Sequence, residues 1–475
     1  MNQKLVMPKH PNVIWIMPDQ LRAQALGCNG DPNVHTPNID ALAARGINFT
    51  QARSGFPLCC PARGSFLTGL YPHRCTPGHD LGLPPTQTTI AHILREHGYK
   101  TAYFGKWHLD AEGAEDKLMP NRAVFHQIPP ERRGGFEKFN GYQNNNEPWD
   151  CYVNDDAGDM YRLPGFETDA VTDLLLGYLR EQKPGQPFFA VMSVLCPHNP
   201  YLAPEEYLKD KNPCDVRLRP NVPQVGWVRE QARRELAGYY ASIENIDHNV
   251  GRVVRALDEL GLADDTYIVF FSDHGDMHGS HGQFRKTTPH EEAVRIPFII
   301  GTGHGCLYSI APQVLYGNNG AGLCDALLNH VDVAPTTLGL CNVPVPGWMQ
   351  GFDYSGHVRG QVPQGEPEDV LIQCNMPTMH HNSVGATWRG IITRDGWKYV
   401  VAEGHEWMLY NLKDDPYEQM NMALTVNYLP QAKALNQRLR ARLEEIGDDY
   451  ELQYIAAEQN GVVMEQSVLL SGNQP

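Results

Sequence analysis

Tyr267-Ile268-Val269-Phe270-Phe271-Ser272-Asp273-His274-Gly275-Asp276 decides the fold: an unbroken apolar run of strand length stops at an acid, an imidazole and a glycine. A run with no polar alternation reads as a strand buried on both faces, which is the mark of a parallel sheet covered by helices. Asn12-Val13-Ile14-Trp15-Ile16-Met17 repeats the pattern and ends in Pro18-Asp19-Gln20. Two such strands deliver their carboxylates to the edge where open α/β sheets bind ligands. Asp273 and His274 offer mixed oxygen and nitrogen donors for a divalent cation, and Asp19 adds a third from a neighbouring strand end. Plainer readings stand beside this one. Asp19 also suits a helix N-cap before Leu21, and Asp273 can cap a turn with His274 merely buried.

Working outward, Pro187 to Val194 is a further buried strand that runs into Cys196-Pro197-His198-Asn199-Pro200. A histidine between two prolines is held rigidly beyond a strand end and suits a general acid. Lys100 to His108 begins as a strand, and the two-residue period puts Lys106 and His108 on one side, as an anion clamp with a proton carrier or as a solvated edge. The loop from His278 to Lys286 is softened by glycine and cationic, so Lys286 can fold back over an anion; His278 and His281 are secondary candidates. Ile47 to Phe49 and Arg295 to Ile300 read as strands. Helices are expected over Asn38–Ala44, Thr88–His97, Thr168–Arg180, Glu230–Leu260 and from Val331. Asp110 to Asp169 reads as a long surface excursion in which Trp149 is a candidate substrate contact. Beyond the linker Pro363–Glu368, short alternating strands precede a helix over Pro430–Ile446 and a tail from Gln453. We therefore expect an α/β catalytic domain over 1–365, with a large mixed sheet flanked by helices, and a subdomain over 366–475 with a small antiparallel sheet and a helix.

Leu58-Cys59-Cys60-Pro61-Ala62-Arg63-Gly64-Ser65-Phe66-Leu67-Thr68-Gly69 carries the chemistry. Pro61 suits the first turn of a helix. Cys59 then sits where free N–H groups and the helix dipole favour an anion, with Arg63 adding a fixed positive charge. Read alone, Cys59 and Cys60 fit two ordinary buried thiols beside a turn better than a reactive centre, and only the rest of the chain reverses that. Over 475 residues, 39 Lys and Arg stand against 55 Asp and Glu, a net charge of −16 without the basic footprint of a nucleic-acid binder. Eleven scattered cysteines with no C-x-x-C pair, no apolar leader near Met1 and no membrane-length apolar run lead us to expect a reduced, cytoplasmic protein.

Cys59-x-Pro61-x-Arg63 with Leu67-Thr68-Gly69, Gly105-Lys106-Trp107-His108-Leu109 and the stretch Leu412 to Asn421 together resemble the formylglycine-dependent sulfatase family of the alkaline-phosphatase superfamily. The resemblance implies an alkaline-phosphatase-like fold and conversion of Cys59 to formylglycine by a formylglycine-generating or anaerobic sulfatase-maturating enzyme. The hydrated aldehyde would attack sulfur with one oxygen and expel sulfate with the other. By similarity, Asp19, Gln20, Cys59, Asp273 and His274 hold a divalent cation and Arg63 steadies the hydrate. Lys106 and Lys286 grip sulfate oxygens, His108 takes a proton and His198 protonates the leaving oxygen. Gln20 and His274 depart from the commonest pattern of ligands, which leaves calcium first but opens manganese or magnesium. The expected substrate is a small sulfate monoester, aryl or carbohydrate, with Trp149, His380 and His381 as further candidate contacts. A phosphonate monoester or phosphate diester hydrolase and a non-catalytic anion binder are the alternatives, and the tail is the one hint of a homo-oligomer.

Overall fold

β1 (Asn12–Pro18) is buried along its whole length, and its side chains alternate between two cores. Val13, Trp15 and Met17 enter the core built with helices Cys59–Thr68, Ile90–Glu96 and Val333–Leu340. Ile14 and Ile16 enter the opposite one, with helices Pro37–Arg45, Glu167–Arg180 and the 34-residue Gly226–Glu259. Trp15 is the pivot of the first core. Its ring meets Phe66, Phe189 and Phe271 edge-on at 4.8–5.9 Å, and its indole N–H donates to Thr337 Oγ1 at 3.1 Å, so no polar atom is left unpaired. The computed structural model describes residues 9–79, 81–110, 125–183, 185–303, 322–378 and 383–452.

The large sheet also contains β2 (Ile47–Arg53), β3 (Lys100–Lys106), β4 (Lys138–Tyr142), β5 (Tyr152–Asn154), β6 (Met160–Arg162), β7 (Phe188–Val194), β8 (Thr266–Phe271), β9 (Phe298–Thr302) and β10 (Leu323–Asn329). Its order is β10-β2-β9-β8-β1-β7-β3-β4-β5-β6. The central run β8-β1-β7-β3 is parallel throughout, while β9 lies antiparallel to both β8 and β2. The mixed sheet, flanked by helices on both faces, is the expected α/β architecture.

Two expectations need correction. The stretch from Asp110 to Asp169 is not a surface excursion throughout: β4 pairs parallel with β3 and is largely buried, and β5 and β6 extend the sheet antiparallel. Five residues containing Lys138, Asn140 and Gly141 carry too little apolar signal to read as a strand. β10 also went unread, because Asp325 interrupts its apolar pattern at the sheet edge, beside β2. Among the described residues no helix is long and apolar enough to cross a membrane.

A separate antiparallel sheet follows, in the order β11 (Asp369–Cys374), β12 (Trp388–Thr393), β13 (Trp397–Ala402) and β14 (His405–Asn411). Helix Leu429–Ile446 covers one face through Leu435, Leu439 and Leu443. The other face packs Val370, Ile372, Trp388 and Val400 against Phe56 and Leu58, the residues that lead into Cys59. The tail beyond 452 lies outside the described residues.

Candidate active site

Four consecutive parallel strands bring the chemistry together at their C-terminal ends. β8 is followed by Asp273 and His274, β1 by Asp19 and Gln20, β7 by His198, and β3 ends in Lys106. Helix Cys59–Thr68 points its N-terminus into the same place. Leu58 enters it with extended backbone (φ −157°, ψ 138°) and no side-chain cap, and the positive end of the helix dipole lies at Cys59. At Gly105 the chain passes β7 so closely that a Cβ would lie 1.9 Å from the Ser193 carbonyl oxygen, and φ is +97°. The next residue, Lys106, therefore leaves the sheet at a fixed angle. Its carbonyl accepts from Tyr103 Oη at 2.5 Å, Arg63 Nη1 at 2.8 Å and Ser193 Oγ at 2.8 Å.

One side of the site is a cation polyhedron. Donor atoms of Asp19, Cys59, Asp273 and His274 all lie within 4.8 Å of one another, and all four residues are buried. His274 Nδ1 donates to the Gly275 carbonyl at 3.0 Å, which leaves the Nε2 lone pair facing inward, 3.2 Å from Cys59 Sγ. Gln20 is turned in the same sense. Its Nε2 donates to Asp276 Oδ2 at 2.5 Å, so its Oε1 faces the site and accepts from Lys286 Nζ at 2.9 Å. That ammonium also lies 3.2 Å from both Cys59 Sγ and His274 Nε2 and 3.1 Å from His198 Nε2. Donors that already surround an ammonium, with two buried carboxylates behind them, suit a small hard cation.

The opposite side supplies positive charge. Arg63 Nη2 bridges Asp19 Oδ2 at 3.0 Å and Asp273 Oδ2 at 3.2 Å, and Lys106 Nζ meets Asp19 Oδ2 at 2.8 Å. Burial alone pushes the Asp19 carboxyl up, but Lys106, His198, Arg63 and Lys286 outweigh it and hold it well below the usual carboxylate range. Burial and Asp19 push the Cys59 thiol up, and Lys286, Lys106 and His274 bring it below the ordinary value. Burial lowers His274, yet Asp273 outweighs it and raises the ring above the usual imidazole value. His108 and His198 go the other way. Burial and Lys106 hold His108 well below the ordinary value, as burial and Lys286 do for His198. Both rings are therefore neutral near pH 7.

Ten sequence-predicted residues thus converge: Asp19, Gln20, Cys59, Arg63, Lys106, His108, His198, Asp273, His274 and Lys286. The argument that placed His108 needs correction. β3 ends at Lys106 and His108 has a left-handed backbone (φ 56°), so the strand period does not carry that far. His278 does not line the site; it is buried behind Asp276 against Tyr239 and Tyr201, with ring centroids at 4.3 and 5.0 Å. His281 stacks on His290 at 4.2 Å and bonds Asn221. Trp149 is 47% exposed and packs on Phe166. His380 and His381 lie outside the described residues.

Residues that sequence reading passed over hold this arrangement. Asp276 accepts from Gln20, from Tyr201 Oη at 2.6 Å and from the backbone of His278 and Arg285. Its place in the Asp273-His274-Gly275-Asp276 string was the available signal. Glu167, buried beneath the strand ends, accepts from Tyr142 Oη at 2.7 Å and from the Leu195 N–H that opens the His198 loop. Thr287 and Arg285 flank Lys286 with φ of 74° and 73°. For a β-branched residue that is strained, and it persists only because neighbours hold it. Thr287 Oγ1 accepts from the Val384 N–H at 2.8 Å and its carbonyl from the Trp388 indole at 3.0 Å, both in the C-terminal part.

The chain matches the sulfatase family over residues 11–343 and the C-terminal region of N-sulphoglucosamine sulphohydrolases over 279–447. It is 33% identical to an ulvan-active sulfatase of Formosa agariphila over 93% of this chain and 83% of that one. It is 29% identical to an endo-4-O-sulfatase of Bacteroides thetaiotaomicron, with 93% of each covered. Among solved structures, one from the glycosaminoglycan metabolism of Bacteroides thetaiotaomicron superposes with a TM-score of 0.79 at 26% identity, covering 93% of this chain and 97% of the other. The phosphonate monoester hydrolase of Agrobacterium radiobacter shares the fold, with a TM-score of 0.72 at 23% identity, 92% of this chain and 96% of that one being covered.

Proposed function

The chain belongs to the sulfatase family and is a sulfuric ester hydrolase, and from that premise we propose that it removes sulfate from a carbohydrate, with Cys59 matured to formylglycine. Hydrated, that aldehyde supplies the oxygen that attacks sulfur in place of the encoded thiol, so a maturation enzyme is a required partner. Asp19, Gln20, Asp273 and His274 would hold one divalent cation, calcium by its oxygen donors or manganese by its added imidazole, which would supply Lewis acidity to the attacking oxygen and positive charge against the sulfate. One observation carries the reading: Arg63, Lys106 and Lys286 converge on Cys59 and the Asp19 carboxylate within 3.2 Å of their partners.

The side chains then divide the work. Lys106 and Lys286 offset the charge of the sulfate oxygens, which is the main source of acceleration in such transfers. Arg63 locks Asp19 and Asp273 together and keeps two buried carboxylates from repelling each other apart. His108, neutral near pH 7, accepts a proton. His198 receives a hydrogen bond from the Lys286 ammonium at Nε2. The negative charge of a bound ester opposes Lys286 and favours the protonated ring that a leaving oxygen requires.

Carbohydrate is chosen because the similar ulvan-active sulfatase and an N-acetylglucosamine-6-O-sulfatase of Bacteroides thetaiotaomicron are named for sulfate esters of that class. Co-expression with a maturation enzyme, followed by a panel of sulfated oligosaccharides, choline sulfate, an aryl sulfate and an aryl phosphonate, tests this. Highest kcat/KM on an oligosaccharide supports it. An aryl phosphonate preferred by orders of magnitude would replace it with the phosphonate hydrolase reading.

A further inference from the structure

Cys60, the residue after Cys59 in the helix, belongs to a second cluster of different chemistry. Cys60 Sγ is 3.8 Å from His79 Nδ1, and one donor atom each from Cys60, His79 and His108 all lie within 4.8 Å of one another. The His79 and His108 rings meet edge to face with centroids 5.5 Å apart. Tetrahedral zinc, with bonds of about 2.3 Å to sulfur and about 2.0 Å to nitrogen, spaces such donors roughly 3.3–3.6 Å apart. The Cys60–His79 pair is already close to that spacing, and bringing His108 in from within 4.8 Å closes the triangle by at most about 1.5 Å. A second observation points the same way: His108 is 4% exposed, and its Nδ1 is buried with no hydrogen-bond partner among the described residues.

We infer that Cys60, His79 and His108 form a soft-metal site, distinct from the carboxylate cluster, at which zinc binds and inhibits. Ligand character separates the two sites. Carboxylate and amide oxygens select hard cations, whereas one thiolate with two imidazoles selects zinc or cobalt and rejects calcium. Binding releases the Cys60 thiol proton to solvent and leaves a fourth position for water. Zinc on His108 occupies the lone pair that would otherwise take a proton, so the enzyme stops without losing its resident cation. The inhibition rests on the reading of His108 given above; the binding does not.

The test uses cobalt as a spectroscopic probe on the full chain carrying Cys59→Ala, in excess calcium, so that neither the neighbouring thiol nor the carboxylate cluster reports. One equivalent of cobalt should give a thiolate-to-cobalt charge-transfer band that is lost in the additional variants Cys60→Ser and His79→Gln. No band, or one unchanged in Cys60→Ser, overturns the site. In the matured enzyme, Cys60→Ser and His79→Gln should each raise the zinc concentration for half-inhibition about tenfold or more, with kcat in zinc-free buffer within about twofold of the parent. A cobalt band without zinc inhibition overturns the switch, and with it the assignment of His108, while leaving the site itself in place.

Discussion

The two sheets of this molecule do different work. The ten-stranded sheet puts four of the site's groups at the C-terminal ends of β8, β1, β7 and β3, where rigid parallel strands fix Asp273, Asp19, His198 and Lys106 relative to one another. The four-stranded sheet supplies none of those groups and instead grips the segment that carries Lys286. Lys398 of β13 is wholly buried, with its ammonium 2.6 Å from Glu418 Oε1, 2.8 Å from Glu291 Oε1 and 2.8 Å from the Pro289 carbonyl. Glu418 Oε2 in turn accepts from the Glu291 N–H at 2.7 Å, and Arg53 of β2 closes the network at 2.8 Å from Glu291 Oε2. Burial pushes Glu418 up to about 7, whereas Arg53 and Lys398 outweigh burial at Glu291 and bring it to about 2. A catalytic lysine on a strained loop therefore depends on a remote sheet, while the groups at strand ends depend only on their own.

The sharpest way to isolate the large sheet's contribution is Cys59→Ala, co-expressed with the maturation enzyme and compared with the matured parent. Turnover should fall on the order of 10⁴-fold or more, as removal of a nucleophile does, with the melting temperature nearly unchanged. Loss of folding along with activity would mean that Cys59 is a packing residue. The small sheet should fail in the opposite manner. Lys398→Met leaves the buried Glu418 without its cation and Glu291 with Arg53 alone, and should cost roughly 3–5 kcal/mol of stability, with kcat falling as Lys286 loosens. Glu418→Gln in that background removes one of the charges, so a denaturation midpoint that recovers partway marks coupling rather than simple damage.

The large sheet has its own buried carboxyl, and pH reads it. Burial raises Glu167 from 4.5 to about 7. The folded chain therefore keeps a proton that the unfolded chain has lost, and stability is full below about pH 4.5 and declines as pH rises toward 7. The total is about 3 kcal/mol for one group. Glu167→Gln should flatten that part of the stability profile, and a slope identical to the parent's across this window would rule the assignment out.

How much of this was legible follows from where the signals lie. Strands buried on both faces announce themselves as apolar runs, so β1, β7 and β8 and the residues just past them could be read directly. The C-terminal sheet was also legible, because its strands are short, alternating and set off by glycine. β4 and β10 were not, since a strand whose apolar content is diluted by Lys138, Asn140 or Asp325 owes its place to neighbours far away in sequence. Asp276, Glu167 and the Lys398–Glu418–Glu291 network escaped for the same reason. Each is a polar residue whose meaning lies mainly in partners 20 to more than 250 positions distant.

The smallest expected effect bears on how the large sheet manages charge without help from the small one. Gln20 brings no charge to the cation site, yet its amide is turned by Asp276, whose carboxyl is lowered to about 2 by His278 and Arg285 against the upward push of burial. The negative charge missing at Gln20 thus stands one residue farther back and acts through the polarised amide. Asp276→Asn removes that charge and frees the Gln20 amide to turn, and should weaken calcium binding about 10–100-fold, as loss of an outer-shell partner does. Gln20→Asp combined with Asp276→Asn returns the charge directly to the site and should recover most of the affinity. Calcium-dependent thermal shifts of the three chains, set against bound calcium measured by atomic spectroscopy, decide the matter without reference to turnover. If the double variant binds no better than Asp276→Asn alone, Asp276 serves the packing of Tyr201 and Arg285 rather than the cation, and the strand ends depend on less of their surroundings than the clamp around Lys286 does.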